Sequence, residues 1–337
     1  MGISLLVLLL LLAAALTAGL LFANSLLDKV DRTEESGNEF LSESEVYTEE
    51  PTFEETTPPE TIEQIEDDFQ QAQQQQPTIL DDPDIQNILL IGSDRRSTKE
   101  NGRADSMMIL SVNHKTKKIH IVSLMRAMYV CIPKSSGDVW GMLNAAYSWG
   151  GPKLLIATIE KNFRIDIDNY VSVDFSSFEK AIDLAGGVRI TLTRAEANYI
   201  KIRTSFLYTS AGTYTLNGEQ ALCYARIRKL DDDFKRTGRQ RTVIIALLQQ
   251  AKGLSVNQLI EMADQILPSV KTDMSNGEIM EYLLQAPTLL SYEISQRMLP
   301  IENENGSYTG KIYVNKREMY KVNFTTNIPA LHEFLKS

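Results

Sequence analysis

The sequence predicts an α/β fold, a mixed β-sheet core sandwiched by helices as an α-β-α domain, preceded by one transmembrane helix. Three observations lead there. From residue 85 onward, short apolar strands alternate with helical segments. The first 27 residues contain an uncharged apolar run, and a strongly acidic, polar tract separates that run from the strands.

No charged residue occurs from Ile3 to Leu27, where Leu and Ala dominate. About 20 apolar residues at a rise of about 1.5 Å span a bilayer core of about 30 Å. The apolar part of a cleaved signal peptide is only about 7–15 residues long. Residues 1–27 are therefore expected to be an uncleaved anchor. Lys29 and Arg32 follow the run and no basic residue precedes it, which by simple count would hold the following chain inside. Large domains translocate largely irrespective of flanking charge, so the bulk of the chain is expected outside the membrane.

Residues 28–79 are rich in Glu, Asp, Thr, Pro and Gln, including Gln73–Gln76. Such a tract buries too little apolar surface to offset chain entropy and reads as a disordered acidic linker. A chain lacking residues 1–77 is accordingly expected to fold cooperatively. Residues 28–84 carry 19 Asp/Glu against 2 Lys/Arg; with the whole chain at −10, that −17 leaves the remainder at +7. A net basic domain behind an acidic tether suits an anionic ligand.

Residues 80–337 have the length for one large core. Asn87–Ile91 reads as a short buried strand, the polar loop 92–105 leads to strand Met107–Val112, and the turn 113–118 returns the chain as strand Ile119–Leu124. Leu154–Asn162 reads as a helix, Tyr170–Asp174 as a strand, and Phe178–Leu184 as a helix stopped by Gly186-Gly187. Val188–Leu192 is a further strand, and Gly218–Cys223 a helix leading into a strand that carries Arg226 and Arg228. Helices are expected near 238–252, 255–267, 276–288 and 328–336, with short strands near Met298 and at Lys311–Val314. Cys131, Cys223, His114, His120 and His332 fall at no metal-type spacing, which argues against a zinc site or a His-based triad.

The segment ALCYARIRKLDDDFKRTGRQR, residues 221–241, concentrates chemistry. Arg226 and Arg228 are two apart on a predicted strand and leave the same face. Arg236, Arg239 and Gln240 share one face of a predicted helix, and Asp231, Asp232 and Asp233 stand where acids cap a helix N-terminus. Guanidinium groups gathered on facing elements grip phosphate or carboxylate; the same pattern also suits a solvated basic face. Asp94 and Asp105 flank a loop between two strands that, if paired, return both carboxylates to one end of the sheet. Two carboxylates beside phosphate-binding arginines are a usual way to hold Mg²⁺; the alternative is that Asp94 caps a turn and Asp105 pairs with Arg103 or Arg126. The arginines lack the aromatic interleaving of a nucleic-acid surface, so nucleic acid is not expected as a partner.

ILLIGSDRRSTKENGRADSMMILSVNHKTKKIHIVSLMRAMYVCIP, LNAAYSWGGP, DNYVSVDF, DLAGGVRI, LNGEQALCYARIRK and DDFKRTGRQR occur in that order, and together they resemble the LytR-CpsA-Psr family. The resemblance covers nearly everything after the acidic tract. It implies an enzyme in a Gram-positive-type envelope, anchored in the cell membrane by one span with its catalytic domain, residues 80–337, extracellular. It implies transfer of a glycopolymer (teichoic acid, capsule or other secondary wall polysaccharide) from a polyprenyl-pyrophosphate carrier to peptidoglycan, through a phosphodiester. A pyrophosphate hydrolase and a non-catalytic lipid-pyrophosphate binder are the alternatives. By the same resemblance Asp94 and Asp105 are expected to hold Mg²⁺ and, with Arg126, to be catalytic. Arg103, Arg126, Arg226, Arg228, Arg236, Arg239 and Gln240 are expected to bind the pyrophosphate. The family usually reads Pro-Arg-Asp where this chain has Met125-Arg126-Ala127, so the arginine is kept and the acid is missing.

Overall fold

The computed structural model describes residues 57–93, 102–301 and 310–337. The expected anchor at 1–27, the stretch 28–56 of the linker and Asp94 lie outside them. Among the described residues no helix is long and apolar enough to cross a membrane.

A six-stranded mixed sheet forms the centre. Its strands are β1 (Ile85–Ser93), β2 (Ala104–Asn113), β3 (Lys118–Leu124), β6 (Asn169–Asp174), β9 (Lys271–Thr272) and β10 (Glu293–Leu299), in the order β10-β3-β2-β1-β6-β9. β2 runs antiparallel to both β1 and β3, whereas β6 runs parallel to β1 and β10 parallel to β3. The carboxyl ends of β1, β3, β6 and β10 therefore share one edge of the sheet.

Period-two alternation loads both faces. Leu89, Ile91, Met107, Ile109, Val122 and Leu124 pack on one side, beneath helices α2 (Leu143–Phe163) and α9 (Phe324–Lys336). Ile88, Met108, Val112, Ile119 and Ile121 point to the other, beneath α6 (Asp233–Ala251) and α8 (Asn276–Leu289). The α-β-α sandwich expected from the sequence is thus the observed one. Gly150 and Gly151 interrupt α2 with non-helical dihedrals just before Pro152, which is why only its second half was legible as a helix. Hairpins β4 (Tyr129–Lys134) with β5 (Gly137–Met142), and β11 (Lys311–Val314) with β12 (Arg317–Tyr320), cover the α2 side.

A second, smaller core gathers under the hairpin β7 (Val188–Leu192) and β8 (Gly212–Leu216). Helices α3 (Phe175–Leu184), α4 (Arg194–Arg203) and α5 (Gly218–Ala225) close it against α6. Gly187, at φ +90°, follows α3, and a Cβ there would come within 2.9 Å of the Leu216 carbonyl oxygen, so the stop read at Gly186-Gly187 is sterically required. Helix α7 (Val256–Ile266) completes the fold.

The linker expectation needs correction. Pro59–Gln75 forms helix α1, and its Ile65, Phe69 and Ala72 are buried in the main core. These lie at i, i+4 and i+7, a narrow apolar stripe on an otherwise Glu- and Gln-rich segment; averaged composition hides such a stripe. Asp68 accepts hydrogen bonds from Phe324 N (2.5 Å) and Thr325 Oγ1 (2.6 Å), capping α9, while Leu80 pairs with Ile165. The folded unit thus includes residues 59–79.

Two outcomes follow from this packing. Phe69→Ala should destabilise the domain by about 3–5 kcal/mol. Deletion through residue 77 should lower the denaturation midpoint, and limited proteolysis should spare 59–75; cleavage there with an unchanged midpoint would refute α1 as part of the core. A pH effect is also expected. His120 is fully buried, its Nδ1 2.6 Å from Ser295 Oγ, and burial, reinforced by Lys118, pulls its pKa from 6.5 down to about 4. Between those values the unfolded chain holds a proton that the folded chain lacks, so stability falls as pH drops from 6.5 towards 4. The urea midpoint should decline across that window, less steeply in His120→Gln.

Candidate functional site

The site lies at the carboxyl edge of β1 and β3. There β1 and β2 lose register: Gly92 faces Ser106 and Ser93 faces Ala104, leaving Asp105 as the extra residue of a β-bulge. A bulge redirects a side chain out of the strand alternation, and Asp105 turns to the arginines. Arg126 sits in the short connection after β3. Three backbone bonds pin that connection: Met125 N to Leu299 O at 3.0 Å, Asn144 N to Arg126 O at 3.1 Å, and Tyr320 N to Ala127 O at 2.8 Å. The Arg126 guanidinium lies between two carboxylates, with Nη1 3.5 Å from Asp105 Oδ1 and Nε 3.4 Å from Asp233 Oδ2.

Arg228 joins from the other side, its Nη2 3.9 Å from Asp105 Oδ1 and its side chain half exposed. The Arg226–Arg228 segment is not the expected strand. Arg226 caps the end of α5, and the chain continues as an irregular connection. Ile227 is nonetheless fully buried in the smaller core, which leaves the flanking arginines outside. Arg226 rests 4.5 Å above the Phe175 ring, a cation–π contact. An apolar anchor between two arginines thus achieves what strand alternation was expected to do.

Helix α6 supplies the rest. Asp232 is its N-cap, accepting from Lys235 N at 2.9 Å. Asp233, one residue on, faces the cluster and holds Arg236 Nη2 at 2.5 Å. Arg236 is only 3% exposed, and its Nε and Nη1 are buried with no hydrogen-bond partner among the described residues. Burial pulls its pKa down to about 10; Asp233 opposes the fall, and Arg126 and Arg228 add to it. A buried cation with unanswered donors is costly by itself, and an anion placed between Arg236, Arg126 and Arg228 would relieve that cost. Gln240 Nε2 reaches Asp105 O at 3.5 Å, and Arg103 stands two residues before Asp105 where the chain enters β2.

Arg239 departs from the expected anion-facing set. It is buried and committed to internal acids: Nε donates to Glu196 Oε1 at 2.7 Å, Nη1 to Asp231 Oδ1 at 3.0 Å and to Ile227 O at 3.3 Å, and Nη2 also meets Asp231. Those short contacts lock α6 to α4 and to the Arg226–Arg228 segment. The contacts of Arg126 and Arg228, at 3.4–3.9 Å, are long for charge-assisted bonds. Asp233 is the residue that sequence reasoning undervalued. Its spacing of three from Arg236 was the available signal, but it read as one capping acid among three.

Among the described residues no group of three or more His, Cys, Asp or Glu side chains could hold a metal ion. Asp105 offers one hard oxygen donor at the anion site, which suits Mg²⁺ bound mostly through water and phosphate; Asp94, the expected second donor, lies outside the described residues. The two cysteines are unpaired.

Residues 52–328 match the model of the LytR-CpsA-Psr family. The chain belongs to that family. Relatives include a polyisoprenyl-teichoic acid–peptidoglycan teichoic acid transferase TagU of Oceanobacillus iheyensis, 35% identical over 209 residues, which are 59% of this chain and 62% of the relative. Biofilm regulatory protein A of Streptococcus mutans is 33% identical over 259 residues, 70% of this chain and 61% of the relative. The chain spans about six-tenths of the length of these curated relatives. Among solved structures, TagT bound to LIIa-WTA superposes with a TM-score of 0.61 at 26% identity, over 75% of this chain and 90% of that one. The chain carries Ala127 beside Arg126 at this sheet edge.

The contrast between the arginines is testable. Arg239→Ala should destabilise the fold by about 3–5 kcal/mol, because it strands the buried Glu196 carboxylate. Arg228→Ala should leave the unfolding free energy within about 0.5 kcal/mol of wild type. Equal losses in the two variants would refute the division of roles.

Proposed function

We propose that this protein transfers a glycopolymer (teichoic acid, capsule or other secondary wall polysaccharide) from a polyprenyl-pyrophosphate carrier to peptidoglycan. The observation that carries this reading is the convergence of Arg126, Arg228 and buried Arg236 on Asp105 and Asp233 at one sheet edge. The transferase names of the relatives support it. The domain would work outside the cell membrane, held there by the expected anchor at residues 1–27.

In the proposed reaction a peptidoglycan hydroxyl attacks the phosphorus that bears the polymer. The bond from that phosphorus to the bridging oxygen breaks, and polyprenyl phosphate leaves with the bonding electrons. Arg126, Arg228 and Arg236, with Arg103, Arg226 and Gln240 around them, bind the pyrophosphate and stabilise the charge that builds on the departing oxygen. A site carboxylate, Asp105 or Asp94, accepts the hydroxyl proton. Mg²⁺ held by Asp105 and Asp94 would add Lewis-acid stabilisation of the phosphate oxygens.

Ala127 favours a second reading, a carrier that binds lipid pyrophosphate and presents it without turnover, because the acid usual in the family is missing. Turnover with and without a peptidoglycan acceptor separates transferase, hydrolase and binder.

Asp105→Ala is expected to abolish Mg²⁺-dependent transfer while leaving metal-free pyrophosphate affinity unchanged or raised, since a carboxylate repels phosphate unless a divalent ion lies between them. Arg228→Ala should weaken pyrophosphate binding by about 1.5–3 kcal/mol. Ala127→Asp should raise turnover if that acid acts in the chemistry. Transfer rates titrated against Mg²⁺ test all three variants; wild-type activity indifferent to chelator would remove the metal from this mechanism.

A further inference from the structure

Six large apolar side chains stand exposed among the described residues, and three of them, Ile202, Leu207 and Tyr208, fall in the stretch 202–208, at 78%, 78% and 55% exposure. This tip, the last two residues of α4 and the start of its connection to β8, belongs to the smaller lobe. It is tied down rather than loose. Thr204 Oγ1 donates to Ile200 O at 2.9 Å and accepts from Phe206 N at 3.2 Å. Phe206, buried beneath, meets the Tyr208 and Tyr214 rings at 5.5 and 5.2 Å, and those two tyrosines stack at 4.7 Å. The aromatic group holds Leu207 outward. Adjacent exposed Leu207 and Tyr208 on an ordered tip, with Ile202 a few residues before them, are the apolar part of a contact surface.

The charge around the tip selects the partner. Arg189, Arg194, Lys201 and Arg203 are all exposed on residues 187–216, where the only acid, Glu196, is buried and bound to Arg239; the exposed Glu219 of α5 is an acid outside this stretch within electrostatic range of the same thiol, Cys223, as Arg203. Apolar and tyrosine side chains interleaved with basic ones are what an interfacial segment presents to anionic lipid headgroups. The helix that leads into the tip is also tied to the anion site, since Glu196 of α4 accepts from Arg239 and Arg239 donates to the Ile227 carbonyl between Arg226 and Arg228.

We infer that the 202–208 tip docks on the anionic surface of the membrane, Leu207 and Tyr208 entering the headgroup layer and Lys201 and Arg203 meeting lipid phosphates. Docked this way, the lobe brings Arg226 and Arg228 to a pyrophosphate that stays at the bilayer surface. The inference rests on the proposed lipid-linked substrate for its purpose, but not for its test.

The test uses the full chain in nanodiscs, in a Cys223→Ser background, with Ile202→Cys or Leu207→Cys carrying an environment-sensitive fluorophore. Leu284→Cys on α8, also exposed, is the control. In phosphatidylglycerol-containing discs, emission at 202 and 207 should shift to the blue and be quenched by doxyl lipid about twofold or more, and the effect should shrink in phosphatidylcholine discs or high salt; position 284 should stay water-like. A water-like spectrum at both tip positions in the anionic discs overturns the inference. So does a shift that only added peptidoglycan fragments produce, which would make the tip a glycan contact. The fluorescence requires no turnover, so failure of docking and failure of the transferase reading are distinguishable. Leu207→Ser with Tyr208→Ser should slow transfer from disc-embedded lipid about tenfold and leave pyrophosphate binding in detergent unchanged.

Discussion

Guanidinium groups brought to one point repel one another, and the architecture around this sheet edge answers that repulsion. Two carboxylates are interleaved with three arginines: Asp105 between Arg126 and Arg228, and Asp233 between Arg126 and Arg236. Among the described residues the compensation is incomplete at Arg236. The Arg126 and Arg228 contacts are long, and Arg236 keeps two buried donors unanswered among the described residues. A site with a surplus of buried donors and low local dielectric is prepared for an anion carrying several acceptor oxygens. Arg239, by contrast, has its charge fully answered by Glu196 and Asp231, and it works as a tie within the fold.

The sheet places this cluster by its topology. Because β1 and β3 are parallel with β2 between them, the chain after β3 and the bulge at the β1–β2 end meet at one edge. The N-terminus of α6 arrives at the same edge, adding its partial positive charge to the arginines. Asp232 caps the helix and frees Asp233 to face the cluster. The smaller lobe carries Arg226 and Arg228 and is coupled to α6 through Arg239.

Much of this was legible in the chain. Short apolar runs identified the centres of β1, β2 and β3, because both faces of the sheet are buried and each strand is apolar on both; β2 begins three residues before the expected start and β1 extends two residues beyond the expected strand at each end. The arginine and aspartate spacing in 221–241 pointed to a single anion site, because two short-range geometries, an apolar anchor between arginines and a capped helix, each aim side chains locally. Helix α1 was missed because three apolar residues among many Glu and Gln mark an amphipathic helix only once a partner core exists for them. The hairpin strand β8 and helix α4 were missed because their short, polar-rich sequences are held by the lobe rather than by strong propensity.

The sequence by itself determined the layer architecture, the family, and the residue types available for an anionic substrate. These follow from local periodicity and from charge. The tertiary structure alone decided which arginines serve the site and which serve the fold. Arg236 and Arg239 sit three residues apart on one helix, yet one lines the anion site and the other is consumed by Glu196, 43 positions earlier in the chain. It also decided that Asp105 leaves the strand pattern, since a bulge arises from pairing with a partner strand. Both outcomes are long-range: which charge meets which is set by the packing of elements distant in sequence, and no local pattern encodes that.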